Sequence, residues 1–297
     1  MDPVAAQRWA ALPLPAEGSA ASPESPWLHE EVARRMEERL QWIKLQPKHW
    51  VHWSPLRGGL QVHEALTRRY PQAICTVIEG QARHERTTRE SLTRPWWSPG
   101  RWLGSRVEFD TPAPQSVDML WANMALHMSD QPQSLVLQWH ELLAVDGFLM
   151  FSCLGPDTLR ELRVIFAERR WPAPTHELTD MHDWGDMLVQ AGFAEPVMDM
   201  ERITLTFDSP ERLLKELRTL GRNLNRARFE GLRGRQWRDQ LHLGLRSGLA
   251  DNEGRLALTF EIIYGHAMKA APRHSVKVET TLTLDQMREN LVRNRRA

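Results

Sequence analysis

Two glycines and one carboxylate have the spacing of a nucleoside-binding site. Gly58 and Gly59 stand in the turn SPLRGG, and Glu79 follows the apolar segment AICTVI. About 20 residues separate Gly59 from Glu79, as between the glycine turn and the ribose-binding carboxylate of open α/β sheets. A carboxylate can accept the O–H groups of a ribose diol. Glu79 could equally be a solvated residue in a strand-end turn, so the sequence leaves both roles open.

Asn123 is a second polar residue at the end of an apolar segment, SVDMLWAN. An Asn in this position can orient a ligand or an attacking oxygen, but it can also satisfy backbone groups of the turn. Its location at a strand end favours the first role.

The turn GPDTLR, residues 155–160, follows a further apolar segment, GFLMFSCL. Gly155 permits a close backbone approach, Asp157 can cap the helix that follows, and Thr158 can do either. Arg160 is a candidate partner for a substrate carboxylate, because a guanidinium binds a carboxylate with two hydrogen bonds. Arg202 is a further candidate, although a surface arginine is usually a solvated charge.

The segment DMHD, with Asp180, His182 and Asp183, contains potential metal ligands. Metal ligands have to converge on one point, and an Asp that caps the helix beginning at WGDMLV explains this segment equally well. We therefore predict no metal site.

The order of elements predicts an α/β fold. A helix over Leu28–Gln46 precedes apolar strands that alternate with helices, which is typical of a mostly parallel sheet covered on both faces. The segment SLVLQWHELLAVDG predicts a helix closed by Gly147. Two late strands, ERITLTF and RLALTFEIIYG, indicate an antiparallel edge. We predict a loose extension over residues 1–27, one domain over 28–270, and a loose polar tail over 271–297.

The composition excludes several classes of protein. Of 297 residues, 38 are Lys or Arg and 38 are Asp or Glu, so no overall charge attracts the chain to nucleic acid or anionic lipid. No apolar run is long enough to cross a membrane. Cys75 and Cys153 lie inside apolar segments, which argues against disulfides and fits a reducing cytoplasm. The oligomeric state is not predicted.

Two longer segments, DGFLMFSCLGPDTLREL and TDMHDWGDMLVQAGFAEPVMD, resemble one family. It is that of the malonyl-[acyl-carrier-protein] O-methyltransferases of biotin synthesis, of the BioC type, which use S-adenosyl-L-methionine (SAM). The resemblance extends over residues 28–265. It implies a Rossmann-like class I methyltransferase fold with a seven-stranded sheet, SAM as cofactor, and malonyl-acyl carrier protein or malonyl-CoA as substrate.

The resemblance also implies site residues. The cofactor would be bound by Gly58, Gly59, Glu79, Asp110 and Asn123, with Asp110 near the adenine amino group. The acyl substrate would be bound by Gly155, Asp157, Thr158 and Arg160. Methyl transfer to an ionised carboxylate needs no general base, so we name no catalytic residue.

The chain departs from the family pattern in the first turn. Trp53 stands at the usual acidic position, and Pro55 and Arg57 replace the first two of three glycines. The site survives if Gly58 and Gly59 make the turn and Arg57 points outward. The alternatives are a degenerate member that no longer binds SAM and acts as a binding or regulatory protein, and a methyltransferase with a different small acceptor.

Overall fold

The computed structural model describes residues 1–14, 25–92, 106–229 and 231–271. Within these residues, seven strands form one sheet in the order β3-β2-β1-β4-β5-β7-β6. The strands are β1 (His49–Trp53), β2 (Ile74–Ile78), β3 (Val107–Glu108), β4 (Val117–Ala122), β5 (Leu143–Leu154), β6 (Phe193–Phe207) and β7 (Leu256–Lys269). β1 to β5 pair in parallel, whereas β7 is antiparallel to both β5 and β6. The predicted α/β class with an antiparallel end of the sheet is confirmed.

Helices connect the strands and cover the sheet. They are α1 (Pro3–Ala11), α2 (Trp27–Arg39), α3 (Pro55–Gly58), α4 (Val62–Arg69), α5 (Ala82–Leu92), α6 (Pro132–Leu142), α7 (Arg160–Glu168), α8 (Met181–Gln190), α9 (Pro210–Leu220) and α10 (Arg235–Leu249). Short 3-10 helices occupy Leu40–Trp42 and Leu126–Met128. No helix among the described residues is long and apolar enough to cross a membrane.

The core has two layers because side chains alternate between the faces of a strand. Trp50 in β1 and Trp121 in β4 belong to one buried cluster, whereas their neighbours Val51 and Leu120 belong to the other. Both layers are covered by helices, so the central strands are apolar on both faces.

Gly147 does not close a helix, as the sequence predicted. α6 ends at Leu142 and the chain passes directly into β5, which contains Gly147. A Cβ at this position would lie 2.9 Å from the carbonyl oxygens of Ala144 and Val117. The glycine is therefore required by a close approach of backbone inside the sheet.

The segment predicted to be a loose N-terminal extension contains α1. Asp2 caps this helix through a hydrogen bond to Val4 N and forms an ion pair with Arg228. Ala6 is buried beside Met128. The domain boundaries at residues 27 and 270 stay predictions, and the predicted tail lies outside the described residues from 272 onwards.

Candidate functional site

The first turn, which we define as residues 54–61, leads from β1 to α4. Ser54 adopts a left-handed conformation with φ 48°, and Pro55 then begins α3. Proline is favoured at the first position of a helix because its φ is already helical and no N–H partner is needed there. Gly59 ends α3 with φ 116°, a value that L side chains rarely adopt. The first turn is therefore a short helix closed by a glycine.

The backbone N–H groups of the first turn donate hydrogen bonds to other groups of the protein. Gly58 N donates to Ser54 O and Gly59 N to Pro55 O, both at 2.9 Å. Leu60 N donates to Glu30 Oε1 at 2.8 Å. An open glycine turn would point such groups at a ligand. Here the contacts to a cofactor have to come mainly from side chains and carbonyl groups around the turn.

Glu79 is one of these side chains, placed directly after β2. Its Oε1 accepts hydrogen bonds from Leu56 N and Thr88 Oγ1, each at 2.9 Å. Among the described residues, none donates a hydrogen bond to its Oε2. Burial raises the pKa of Glu79 to about 7, although these hydrogen bonds and the Arg57 guanidinium lower it. A half-buried carboxylate with one open oxygen suits a ribose hydroxyl, so this end of the site fits SAM.

Asn123 connects the first turn to the sheet. Its Nδ2 donates to His29 O at 2.8 Å and to Gly58 O, and its Oδ1 accepts from Ser152 Oγ at 2.5 Å. A Cβ on Gly58 would lie 2.6 Å from Asn123 O, so only glycine fits. Both hydrogens of the amide are donated to carbonyl groups, which is the backbone-satisfying role that the sequence left open. A direct contact of Asn123 with the cofactor stays a prediction.

Arg57 points away from the turn, towards α1. Its Nη2 donates to Trp9 O at 3.1 Å and to Leu12 O at 2.6 Å, and its guanidinium lies 4.2 Å from the centre of the Trp9 ring. His84 Nε2 also contacts Leu12 O at 3.0 Å. This geometry corresponds to the interpretation in which Gly58 and Gly59 make the turn and Arg57 points outward.

The structure does not bring every predicted cofactor residue together. The first turn contains Gly58 and Gly59, and it is hydrogen-bonded to Glu79 and Asn123. Asp110 is exposed two residues beyond β3, at the same edge of the sheet, and its carboxylate is not bonded to the turn. Trp53 packs edge-on against Trp139, with ring centres 5.9 Å apart, and so belongs to the core.

The second turn, residues 155–160, is held by Glu261 of β7. Glu261 Oε2 accepts from Asp157 N at 2.6 Å, and Glu261 O accepts from Gly155 N at 2.9 Å and from Thr158 Oγ1 at 3.1 Å. A Cβ on Gly155 would lie 2.7 Å from Glu261 Oε2. Thr158 is buried, and its hydroxyl supports the turn. Glu261 was not predicted as a site residue, because nothing local to it in the sequence reveals a partner about 100 residues away.

The charged groups of the second turn lie at the surface. Arg202 donates through Nε and Nη2 to Asp157 Oδ2, at 3.1 and 2.7 Å. Arg160 is 53% exposed and donates to Glu161 Oε1 at 3.1 Å. Such exposed pairs are weak and can exchange partners with a ligand. A substrate role for Gly155, Asp157, Thr158 and Arg160 stays a prediction.

The segment around Asp180 caps a helix. Asp180 Oδ1 accepts from His182 N at 2.8 Å at the beginning of α8 and lies 2.7 Å from His182 Nδ1. The capping interpretation therefore accounts for the segment that had the composition of a metal site.

Buried histidines near the first turn were not predicted from sequence to belong to the site. His29, His127 and His176 are each at most 6% exposed and lie around the carboxyl end of β4. Their only sequence signal is a polar residue beside apolar ones, as for His127 after MAL. That signal is common among structural histidines.

The chain is similar in sequence to curated proteins that share one name. No protein-family model matches the chain. The malonyl-[acyl-carrier protein] O-methyltransferase of Gallionella capsiferriformans is 38% identical over 259 residues, which cover 83% of this chain and 85% of the relative. The enzyme of the same name from Laribacter hongkongensis is 36% identical over 262 residues, covering 85% of this chain and 86% of the relative.

Solved structures show the same architecture. A Bacillus halodurans protein assigned to the methyltransferases has a TM-score of 0.53 at 13% identity, covering 81% of this chain and all of that one. The YcgJ protein of Bacillus subtilis has a TM-score of 0.51 at 12% identity, with coverages of 82% and 99%. The similarity to the curated relatives extends over most of both chains, and so the chain belongs to the malonyl-[acyl-carrier protein] O-methyltransferase family.

Proposed function

We propose that the chain transfers a methyl group from SAM to the free carboxylate of a malonyl thioester on acyl carrier protein, in biotin synthesis. The observation that carries the proposal is 34–38% identity to relatives of that name over 83–86% of the chain. The class I methyltransferase fold and the open oxygen of Glu79 at the end of β2 support it. Both cysteines are buried free thiols, which supports a location in the reducing cytoplasm.

Bound SAM supplies an electrophilic methyl group. The protein's own contribution is to align the acceptor carboxylate and to exclude water, effects that can lower a barrier by roughly 7–11 kcal/mol. Glu79 would hold the ribose, and Asn123 would keep the first turn in place. The second turn would line the acyl chain. Esterification removes the charge of the malonyl group, so that an apolar elongation site can accept it.

The first turn itself favours a second candidate function. Its N–H groups are bonded within the protein and Arg57 binds α1, as expected of a member that keeps the fold but has lost SAM and serves as a binding protein. The two proposals differ in whether the protein turns over SAM.

The direct test is to incubate the protein with SAM and malonyl-acyl carrier protein and to measure the intact mass of the carrier. The proposal predicts addition of one methyl group, removed when the ester is hydrolysed. Malonyl-CoA tests the choice of carrier, and acetyl-acyl carrier protein, which lacks the free carboxylate, is the matched control. Methylation of the acetyl carrier, or of none of the three, would contradict the proposal.

A further inference from the structure

Three buried histidines lie near the carboxyl end of β4, where His29 and His176 are close enough to act electrostatically on His127. His29 lies in α2, His127 in the 3-10 helix after β4, and His176 in the segment before α8; they are 3%, 4% and 6% exposed. His176 Nε2 lies 3.0 Å from the carbonyl oxygen of His127. The carbonyl of His29 accepts the 2.8 Å bond from Asn123, four residues before His127. The three side chains thus come from separate parts of the chain to one place beside the first turn.

The hydrogen bonds determine the tautomers of two of these rings. His29 Nδ1 lies 2.7 Å from Arg57 O, and a carbonyl can only accept, so Nδ1 carries the hydrogen. By the same argument, the hydrogen of His176 is on Nε2. The remaining nitrogens, His29 Nε2 and His176 Nδ1, have no partner among the described residues, and neither ring nitrogen of His127 has one. One nitrogen of His127 must carry a hydrogen, so a buried N–H donor is left unpaired, which is unfavourable.

Positive groups act on two of the three rings. Burial above all lowers the pKa of His29 to about 4, and the nearby Arg57 guanidinium lowers it further. Burial lowers the pKa of His176 as well, and the Met1 α-amino group adds to that effect. The carboxylate of Glu30, the neighbour of His29, accepts two backbone N–H groups of the first turn. The rings are therefore buried, neutral donors and acceptors, and those of His29 and His176 lie near positive groups.

We propose that His127, flanked by His29 and His176, binds a carboxylate group. A carboxylate would accept the unpaired N–H of His127 and would be attracted by the surrounding positive charges. Its negative charge would also favour protonation of an adjacent imidazole, which then donates a second hydrogen bond. No group of three or more His, Cys, Asp or Glu in the described part of the chain is placed to hold a metal ion, so the three rings do not form a metal site.

Two carboxylates are available if the function proposed above is correct, and this inference rests on it. One is the malonyl carboxylate that receives the methyl group, and the other belongs to the methionine end of SAM. Arg160, the partner predicted from sequence for the malonyl group, is half-exposed and paired with Glu161. The histidines are buried beside the first turn, where an acceptor and the cofactor would have to meet.

Matched ligands separate the two sources. S-adenosylhomocysteine is compared with its decarboxylated form, which keeps the amine. Malonyl-acyl carrier protein is compared with its methyl ester, with the protein saturated with S-adenosylhomocysteine. Affinities are measured by calorimetry in buffers with different ionisation enthalpies, because proton uptake by an imidazole changes the observed heat. We expect uptake of protons with the carboxylate ligand of one pair, and none with the matched ligand that lacks the carboxylate.

The variants preserve the structural hydrogen bonds. His127→Leu removes the unpaired ring, His29→Asn keeps a donor for Arg57 O, and His176→Gln keeps a donor for His127 O. The control is His266→Gln, because His266 also has an unpartnered Nε2 but packs on Phe148, towards the amino end of β5. His127→Leu is expected to leave the melting temperature unchanged or raise it, since it removes a buried polar group that lacks a partner.

The expected result is a tenfold to hundredfold loss of affinity, of the order of one charged hydrogen bond, for the carboxylate ligand of one pair in His127→Leu. Loss for the malonyl carrier but not its ester assigns the site to the acceptor; loss for S-adenosylhomocysteine but not its decarboxylated form assigns it to the cofactor. Equal losses within both pairs, or no loss beyond that of His266→Gln, would overturn the inference while the proposed function stands. If the unaltered protein binds neither form of S-adenosylhomocysteine, the proposed function fails and the inference fails with it.

Discussion

Glu79 Oε1 accepts the backbone N–H of Leu56 at 2.9 Å, which joins the end of β2 to the first residues of α3. The same oxygen accepts from Thr88, and among the described residues none donates to the other carboxylate oxygen, which we predict to accept from the ribose. One residue thus supports the first turn and offers a ribose acceptor. Leu56 directly follows Pro55. The site can tolerate Pro55 because the N–H of Leu56 already donates to a side chain and needs no partner from the cofactor.

Replacing Glu79 by Gln should separate its two roles. The Gln oxygen can still accept from Leu56 and Thr88, so the melting temperature should change little. The affinity for 5′-methylthioadenosine, which has the ribose but no amino-acid end, should fall by about tenfold to hundredfold. Binding by the unaltered protein should also weaken as the pH falls through about 7, where Glu79 becomes protonated. Calorimetry at several pH values measures both effects, and Glu90→Gln, an exposed change on α5, is the control.

Asn123→Ala should destabilise the fold. It removes donors from the carbonyls of His29 and Gly58 and an acceptor from Ser152 Oγ, all buried. The expected loss in the free energy of unfolding is about 2–4 kcal/mol. Urea denaturation measures this loss. Asn223→Ala, which removes an exposed hydrogen bond to Ala173 O and a part-buried one from Asn225 N, should cost less, about 1 kcal/mol. Equal stabilities of the two variants would show that the hydrogen bonds of Asn123 do not stabilise the fold more than those of an exposed residue.

Arg57→Ala should loosen α1. The guanidinium provides two hydrogen bonds to the end of α1 and a contact with the Trp9 ring. Without it, amide hydrogen exchange should speed up across Pro3–Ala11 while β1 and β4 stay protected. Arg8→Ala, on the exposed side of the same helix, should leave the exchange of α1 unchanged. Unchanged protection of α1 in Arg57→Ala would mean that other contacts, such as the Asp2–Arg228 ion pair, are sufficient.

Mild acid should favour unfolding, because the buried histidines bind protons less readily in the folded chain than in the unfolded chain. Burial lowers the pKa values of His29 and His63 from 6.5 to about 4. Below pH 6.5 the unfolded chain binds protons that the folded chain does not, so stability present above 6.5 is lost as the pH falls towards 4. Each histidine should cost about 3 kcal/mol over that window. Glu79, whose pKa is raised, has the opposite sign and offsets part of the loss between its ordinary value of 4.5 and about 7.

Urea unfolding at about pH 7 and about pH 5 measures this dependence. His63→Leu should flatten it, because one buried ring no longer titrates. His182→Ala, at the exposed beginning of α8, should leave it as in the unaltered protein. A stability that rises as the pH falls would contradict the assignment of these histidines as neutral.

Much of the fold was predictable because it depends on local patterns. Apolar strands alternating with amphipathic helices predicted the parallel part of the sheet, and the capping residue Asp180 predicted the beginning of α8. Gly147 was wrongly taken as a helix end, since a glycine required by backbone contact within a sheet looks the same in sequence as one that closes a helix.

The site was predictable only in part because its contacts are distant in sequence. The spacing of Gly59 and Glu79 revealed the turn and its carboxylate, but not that Leu56 binds Glu79. No local sequence pattern predicts the hydrogen bonds of Glu261 to the second turn. None predicts that His29, His127 and His176 lie near one another. Such contacts bring together residues about 50 to 150 positions apart, and the tertiary fold alone determines them.

Calorimetric titration with S-adenosylhomocysteine shows whether the altered first turn still forms a cofactor site. We expect one site per chain with micromolar affinity, weakened about tenfold to hundredfold in Glu79→Gln and kept in Glu90→Gln. Absence of binding at millimolar ligand, with the protein shown to be folded, would contradict the account and would leave a methyltransferase fold that binds a partner without using SAM.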